Sequence, residues 1–212
     1  MYTEFIRNLE KNKNKYRFLI LPVISSAAVL RKEKLLNKLL ESAKRNNINS
    51  SKIYEALLQT YLFAGFPSAL ISLKIASHIF PLEEFRHKLF RSDRDNGIRN
   101  CKKIYGNKFD KLISNINDFS PELSEWLIVE GYGKVLGRKS LSLKERELCI
   151  VAILSSMKFE SQLFSHINGA YRLNNSLRII KIVIVSLEQV GGMDIKNFGL
   201  RVLNEYIKTR TL

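Results

Sequence analysis

Glu147, Gln162 and His166 have the residue types and the spacing of a site that could exchange protons. They fall in a stretch that reads as two helices joined by a turn near Met157 and Lys158. Gln162 and His166 share one helical stripe, because residues three and four apart lie on the same face of a helix. An antiparallel return would bring Glu147 opposite that stripe. A carboxylate, an amide and an imidazole beside an apolar wall are groups that general acid–base catalysis uses.

The helix that carries Glu147 has a strong start signal. Ser142 and Glu145 form an S-x-x-E capping box, in which each side chain bonds the backbone of the other residue. The following run of apolar residues, 148–154, is apolar on every face and therefore predicts a buried core helix. Asn174 and Asn175 are expected to end the helix that carries His166. The sequence thus predicts a helical hairpin that holds the candidate site against the core.

The rest of the chain also predicts helices. Of its 212 residues 45% are hydrophobic and 26% charged, which is typical of a globular protein. Ten glycines and four prolines leave long segments without helix breakers. No segment alternates polar and apolar residues between hairpin turns, and the β-branched stretch 179–185 would have no partner strand. The fold class is therefore predicted to be all-α.

Two degenerate copies of one helical unit are predicted. A shift of 126 residues aligns apolar positions and a glycine break: Ile53 with Ile179, Leu57 with Val183, and Gly65 with Gly191. We expect an N-terminal arm at residues 1–15, a degenerate first repeat at 16–91, and a second repeat at 92–212 that carries the site. The polar, turn-rich segment 92–97 is the predicted boundary. The same shift places Leu21 and Leu40 opposite Glu147 and His166, so the first copy lacks the polar pair.

Charge and cysteine usage narrow the classes of function. The formal net charge is +15, but the cations are spread over most segments and no nucleic-acid-binding motif is present. We therefore expect a small anionic substrate as partner, with no nucleic acid and no membrane. The apolar segment 18–30 resembles the apolar region of a signal peptide, but Glu4 and Glu10 precede it and it is too short to span a bilayer. It is interpreted as a core helix, with export as the alternative. Two distant cysteines and three dispersed histidines predict neither a disulfide scaffold nor a metal site, and a cytoplasmic location follows by default.

Around the candidate site the chain resembles the carboxymuconolactone decarboxylase family, which includes the alkylhydroperoxidase D-like proteins. The resemblance extends over most of residues 17–205. It is strongest in GYGKVLGRKSLSLKERELCIVAIL at 131–154 and in QLFSHINGA at 162–170, and LLQTYLFAGFPSAL at 57–70 resembles the second helix of the family pattern. This resemblance implies an all-α fold, assembly into dimers, trimers or hexamers, and pockets near subunit interfaces.

The family divides by chemistry, and the resemblance favours its decarboxylase branch. Peroxidase members carry a Glu, a Cys-x-x-Cys pair and a His. Here Glu147 and His166 keep that spacing, while Phe159 and Gln162 stand at the two cysteine positions. Thiol peroxidase chemistry requires a thiolate and a resolving partner, so that activity is disfavoured. The decarboxylase branch implies a cofactor-free carboxy-lyase acting on a small carboxylate or lactone.

Under this hypothesis each candidate residue has a role. His166 is the candidate acid and Glu147 orients or charges it. Arg138 or Arg146 holds a substrate carboxylate, Gln162 donates a hydrogen bond, and Tyr132 adds to the substrate-binding set.

Structural alternatives stay open for these residues. Glu147 also suits a helix N-terminus, and Arg146 could pair with Glu122 or Glu125. Arg138 could be a solvated loop residue. The alternative function is a non-catalytic oligomer of the same fold that binds a ligand or serves a structural role.

Overall fold

The computed structural model describes residues 17–81 and 93–210, and every regular element in these two ranges is helical. The all-α class is therefore confirmed. The first range holds α1 (Ile20–Val29), α2 (Glu33–Arg45), α3 (Ser50–Leu58) and α4 (Tyr61–Ser77). The second range holds α5 (Arg94–Tyr105), α6 (Phe109–Asn117), α7 (Pro121–Trp126), α8 (Leu143–Met157), α9 (Glu160–Arg172), α10 (Leu177–Ser186), α11 (Glu188–Gly191) and α12 (Met193–Lys208).

Helix α8 lies at the centre of the molecule, as its composition predicts. All its residues from Arg146 to Ser156 are buried. The capping box between Ser142 and Glu145 is present, and Lys158 ends the helix in the left-handed conformation with φ of 58°. The chain then returns as α9, which packs along α8. The predicted helical hairpin is confirmed, with its turn at Lys158.

Two hydrophobic cores meet at α8. One core consists mainly of residues from α1 to α4, and the other of residues from α5, α8, α9, α10 and α12. Helix α1 packs directly on α8, and the buried hydroxyls of Ser26 and Ser156 are 2.6 Å apart across that contact. Helix α8 buries apolar surface in both cores, and this burial stabilises the packing of one core on the other.

Asn49 caps α3, because its side chain accepts the Lys52 backbone N–H. The glycine-containing segment before Ser142 forms a π-helix, Leu127–Val135, between α7 and α8. The predicted arm at 1–15 lies outside the described residues, and so does Ser92 at the start of the predicted boundary. The remainder of that boundary opens α5, which Asp93 caps.

Within the described ranges, no single helix is both long and apolar enough to cross a membrane. Helices α3 and α4 meet such a criterion of length and composition only when they are taken together, and they are bent by 119° at their junction.

Candidate functional site

Glu147 and His166 meet in the contact between α8 and α9. Nδ1 of His166 lies 2.9 Å from Oε2 of Glu147. Glu147 is fully buried and His166 is 6% exposed. Gly169, one turn after His166, permits this approach, because a Cβ on it would lie 2.7 Å from Oε2 of Glu147. The sequence prediction that these two side chains face each other agrees with this geometry.

The hydrogen bond fixes which edge of the imidazole is available. Nδ1 is engaged by Glu147, and Nε2 makes no hydrogen bond to any described residue. The ring packs edge-on against Phe63 and Tyr105, with centroid distances of 6.2 and 6.1 Å. Oε1 of Glu147 is buried and has no hydrogen-bond partner among the described residues. A carboxylate bonded to one imidazole nitrogen fixes the orientation of the ring.

His166 lies in the wall of a pocket of about 760 Å³. Gln162, one turn earlier on α9, shares this wall. Most of the remaining lining is aromatic or aliphatic. It comes from α4, α6, α7, the π-helix and the residues just after α6 and the π-helix: Leu62, Phe63, Leu112, Ile116, Phe119, Leu123, Trp126, Leu127 and Leu136. An apolar cavity with a few polar groups directed to one place is typical of a small-molecule site.

Tyr61 and Glu130 add a second pair of polar side chains to the pocket wall. The Tyr61 hydroxyl donates a hydrogen bond to the Glu130 carboxylate, which also accepts from Lys134. Burial, with the hydrogen bond to Glu130, raises the pKa of Tyr61 to about 12. Burial acts to raise the pKa of Glu130, but the bonds from Tyr61 and Lys134 outweigh it and lower that pKa overall. Glu130 therefore stays an anion at neutral pH.

Two further tyrosines complete the inner wall. Tyr132, which the sequence placed in the substrate-binding set, does line the pocket together with Tyr105. The Tyr132 hydroxyl donates to the Tyr105 hydroxyl at 3.3 Å. Burial raises the pKa of both phenols, that of Tyr132 well above its ordinary value. Both groups are therefore protonated at neutral pH and can act as hydrogen-bond donors.

Arg138 and Arg146 are not part of this pocket. Both bind Glu55 on α3: Nε of Arg138 lies 2.8 Å from one carboxylate oxygen, and Nη2 of Arg146 lies 2.7 Å from the other. Arg146 is fully buried and also donates to the side chain of Gln59 and to the backbone oxygens of Arg138 and Leu141. Burial lowers the pKa of Arg146 although Glu55 opposes that shift.

This network differs from the alternatives that the sequence left open for the two arginines. Arg146 pairs with neither Glu122 nor Glu125, and Glu125 instead binds Arg94. Arg138 is mostly buried and not a solvated loop residue, since its side chain is 15% exposed. The structure therefore places Gln162, His166 and Tyr132 in the wall of one pocket, with buried Glu147 bonded to His166, and places the two arginines elsewhere.

Neither cysteine has the properties of a catalytic thiol. Cys101 and Cys149 are both free and buried. Burial raises the pKa of each to about 12, so both are protonated at neutral pH and are poor nucleophiles. In the part of the chain that the structure describes, no group of three His, Cys, Asp or Glu side chains could hold a metal ion.

Sequence reasoning missed the residues that come from distant elements. Tyr105, Phe63 and Glu130 reach the pocket from α5, α4 and the π-helix, and Glu55 was not considered as a partner for either arginine. The one available signal was the acid itself, because Glu55 interrupts an apolar stretch, IYEALL, at 53–58. Such an acid is buried only when it is paired.

Comparison with known proteins adds one distant relative. No family model matches the chain. A yeast protein, Peroxisomal protein 2 of Saccharomyces cerevisiae, is 24% identical over 165 residues. The alignment covers 63% of this chain and 58% of the yeast protein, so the chain spans little more than half the length of this relative. The chain is therefore similar to Peroxisomal protein 2 at a level that establishes no family.

Proposed function

We propose that this protein is a cofactor-free enzyme of the carboxymuconolactone decarboxylase type, in which Glu147 and His166 transfer a proton at a carbon next to a carbonyl group. The supporting observation is the buried hydrogen bond between these two side chains at the wall of an apolar pocket. A histidine that acts as general acid or base needs a fixed imidazole with one nitrogen free to exchange the proton. Nε2 of His166 is that nitrogen.

The cycle follows from the position of Glu147. Neutral His166, protonated on Nδ1 toward Glu147, accepts a proton from the substrate carbon on Nε2. The electron pair of the broken C–H bond moves into the carbonyl and leaves an enolate. Glu147 stabilises the imidazolium that forms, and His166 then returns the proton to the same or a conjugated carbon. In a decarboxylation the C–C bond to the departing carbon dioxide supplies the electron pair. His166 then begins as the imidazolium, protonated by solvent water, and delivers that proton to the enolate carbon.

The pocket favours a lactone or another neutral carbonyl compound over a small carboxylate. Among the residues that line the pocket, Glu130 is an acid and none is an arginine or a lysine. The arginine clamp expected for a carboxylate is bound to Glu55 instead. An anion beside Glu130 in an apolar surrounding would be repelled and poorly solvated. We therefore place proton transfer on a neutral carbonyl compound ahead of the carboxy-lyase reaction.

Solvent deuterium exchange tests this function directly. The purified protein is incubated in D₂O with a panel of lactones, cyclic enones and β-keto acids, and proton NMR follows loss of signal at the acidic carbon. We expect the wild type to catalyse exchange on a neutral lactone or enone. His166→Gln should slow it by about 100-fold or more, and Glu147→Gln should slow it less.

The matched control is His78→Gln, because His78 is an exposed histidine at the end of α4, outside the pocket. It should exchange at the wild-type rate. Equal rates for wild type and His166→Gln, or no exchange on any compound of the panel, would overturn the proposal.

A ligand-binding protein without catalysis is the second candidate, and the apolar lining of the pocket is the observation that favours it. In that case neutral aromatic compounds would bind equally well to wild type and to His166→Gln, and neither protein would catalyse exchange. Trp126 is the single tryptophan and lines the pocket. Its fluorescence therefore reports binding in both proteins.

We also propose that the chain consists of two copies of one unit. Three pairs of turn residues with positive φ are each 127 residues apart: Arg31 and Lys158, Asn47 and Asn174, Gly65 and Gly192. Helices α2 and α9 begin 127 residues apart and have 13 residues each. This offset is one residue longer than the shift suggested by the apolar pattern. It places buried Ile20 and Leu39 opposite Glu147 and His166, so that one copy carries the polar pair.

Assembly and location are further parts of the proposal. Phe119 and Trp126 at the pocket mouth are 73% and 61% exposed. We propose that a second copy of the chain covers them in a homo-oligomer, which light scattering after size-exclusion chromatography would detect and Trp126→Glu would disrupt.

The cytoplasm is the proposed location. The name of the yeast relative makes the peroxisome the specific alternative, and imaging of a tagged protein distinguishes the two.

A further inference from the structure

Tyr105 is the hydroxyl-bearing residue whose ring lies directly against His166 on the pocket side. It is the last residue of α5 and lines the pocket. Its ring contacts His166 edge-on with a centroid distance of 6.1 Å and contacts Tyr132 with a centroid distance of 6.2 Å. A small molecule in the pocket can therefore touch Tyr105 and His166 together.

The hydrogen bonding of Tyr105 leaves one proton without an acceptor. Its oxygen accepts the hydroxyl proton of Tyr132. Its own hydroxyl donates to no described residue. Tyr132 is held on the other side, since its ring is buried and its backbone oxygen accepts from the side chain of buried Asn100 at 3.1 Å. The two phenols form a short chain that runs from Tyr132 to Tyr105 and has a donor at its pocket end.

Such a chain strengthens its terminal donor. A hydroxyl that accepts a hydrogen bond becomes a better donor, because each bond polarises the next. In an apolar site, a fixed donor directed at an oxygen that gains negative charge is among the largest contributions to catalysis. Burial keeps both phenols protonated, since it raises both pKa values. The segment that carries Tyr132 is a π-helix, a form that is often found at functional sites.

We propose that Tyr105 is a catalytic residue that donates a hydrogen bond to the carbonyl oxygen of the substrate and stabilises the enolate, with Tyr132 as its positioning residue. This inference rests on the proposed function and makes it more specific. The substrate is a carbonyl compound whose oxygen reaches Tyr105 while its acidic carbon reaches Nε2 of His166.

The test uses 4-nitrophenol as an oxyanion mimic and 4-nitrotoluene as its counterpart without a hydroxyl. Binding of each is measured by quenching of Trp126 fluorescence, and absorbance of the bound nitrophenol gives its apparent pKa. We expect the wild type to bind nitrophenol more tightly than nitrotoluene. The apparent pKa of the bound nitrophenol should be lower in the wild type than in Tyr105→Phe, because the Tyr105 hydroxyl stabilises the phenolate form. Tyr105→Phe should lose about tenfold or more in affinity for nitrophenol but keep its affinity for nitrotoluene.

Two further variants distinguish loss of the hydrogen bond that supports Tyr105 from a nonspecific effect of replacing a tyrosine. Tyr132→Phe should lose a smaller part of the nitrophenol affinity and of the pKa shift, since it removes only the supporting bond. Tyr171→Phe is the matched control, because Tyr171 lies outside the pocket and packs on Arg210. It should match the wild type in every measurement.

Probe binding tests the role of Tyr105, and deuterium exchange tests the proposed function. If Tyr105→Phe binds both probes as the wild type does, or if neither probe binds the wild type, the role of Tyr105 is overturned. The proposed function is judged separately, by deuterium exchange in His166→Gln. Normal exchange in that variant would overturn the proton-transfer function, and the nitrophenol measurements would still decide whether Tyr105 binds an oxyanion.

Discussion

Replacing Glu55 by glutamine removes the one anion from a buried cluster that contains two arginines. Its carboxylate binds Nε of Arg138 and Nη2 of Arg146 at 2.8 and 2.7 Å. Glutamine keeps the shape of the side chain but loses the charge. One of its terminal groups becomes an NH₂ that faces a guanidinium, so a donor meets a donor. Arg146 then remains charged and fully buried without an anionic partner.

The expected loss in the free energy of unfolding follows from how deeply each arginine is buried. Removing one member of a buried ion pair typically costs about 3 to 5 kcal/mol, because the other charge stays desolvated. Arg138 is 15% exposed and can turn toward water, whereas Arg146 is not exposed at all. We therefore expect the lower end of that range, about 3 kcal/mol. For a chain of this length that loss corresponds to a fall in Tm of about 6 to 12 °C.

Urea unfolding followed by circular dichroism measures the effect. The midpoint should fall while the slope stays unchanged, since the same surface is exposed on unfolding. The double variant Glu55→Leu with Arg146→Met should recover most of the loss, because an apolar pair avoids desolvating two charges. Glu160→Gln is the matched control. It removes a carboxylate from an exposed pair with Arg201 and should leave stability nearly unchanged.

A loss below about 1 kcal/mol in Glu55→Gln would refute this reasoning, because it would mean that water or another group solvates Arg146. A double variant no more stable than the single one would refute the charge argument and indicate that shape alone matters. A large KM effect from Arg146→Met with normal stability would instead return Arg146 to the substrate-binding set that the sequence suggested.

Three shorter predictions address the site, the thiols and the central helix. Gly169→Ala should slow deuterium exchange and lower Tm, because the added Cβ would lie 2.6 Å from Cγ2 of buried Ile104 and 2.7 Å from Oε2 of Glu147; unchanged exchange would contradict a displacement of that carboxylate. Cys101 and Cys149 should not react with Ellman's reagent at about pH 8 in the folded protein, since burial raises the pKa of each to about 12 and thiolate forms only as pH approaches that value. Both should react in denaturant, and labelling of the native protein would show that the thiols are accessible. Ser142→Ala should cost about 1 kcal/mol in urea unfolding through loss of the helix cap, and no measurable loss would argue against the capping box.

The sequence alone determined the features that depend on neighbours along the chain. The capping box at Ser142, the turn at Lys158 and the stripe that presents Gln162 and His166 all follow from short-range rules of capping and helical periodicity. These rules were sufficient to predict the helical hairpin and to place Glu147 opposite His166. In the structure Nδ1 of His166 lies 2.9 Å from Oε2 of Glu147. The all-α class followed in the same way from long segments without breakers.

The tertiary structure decided which distant side chains meet. Arg146 was predicted to hold a substrate, but the tertiary structure places α1 against both α3 and α8. Oε2 of Glu55 on α3, 91 residues away in the chain, then lies 2.7 Å from Nη2 of Arg146. Tyr105 joins His166 only because α5 packs on α9. No local pattern encodes such contacts, since they depend on how helices cross and which faces they bury. The sequence therefore determined that Glu147 and His166 meet, and the packing determined that the pocket beside His166 is apolar, lined by tyrosines and separate from the arginines.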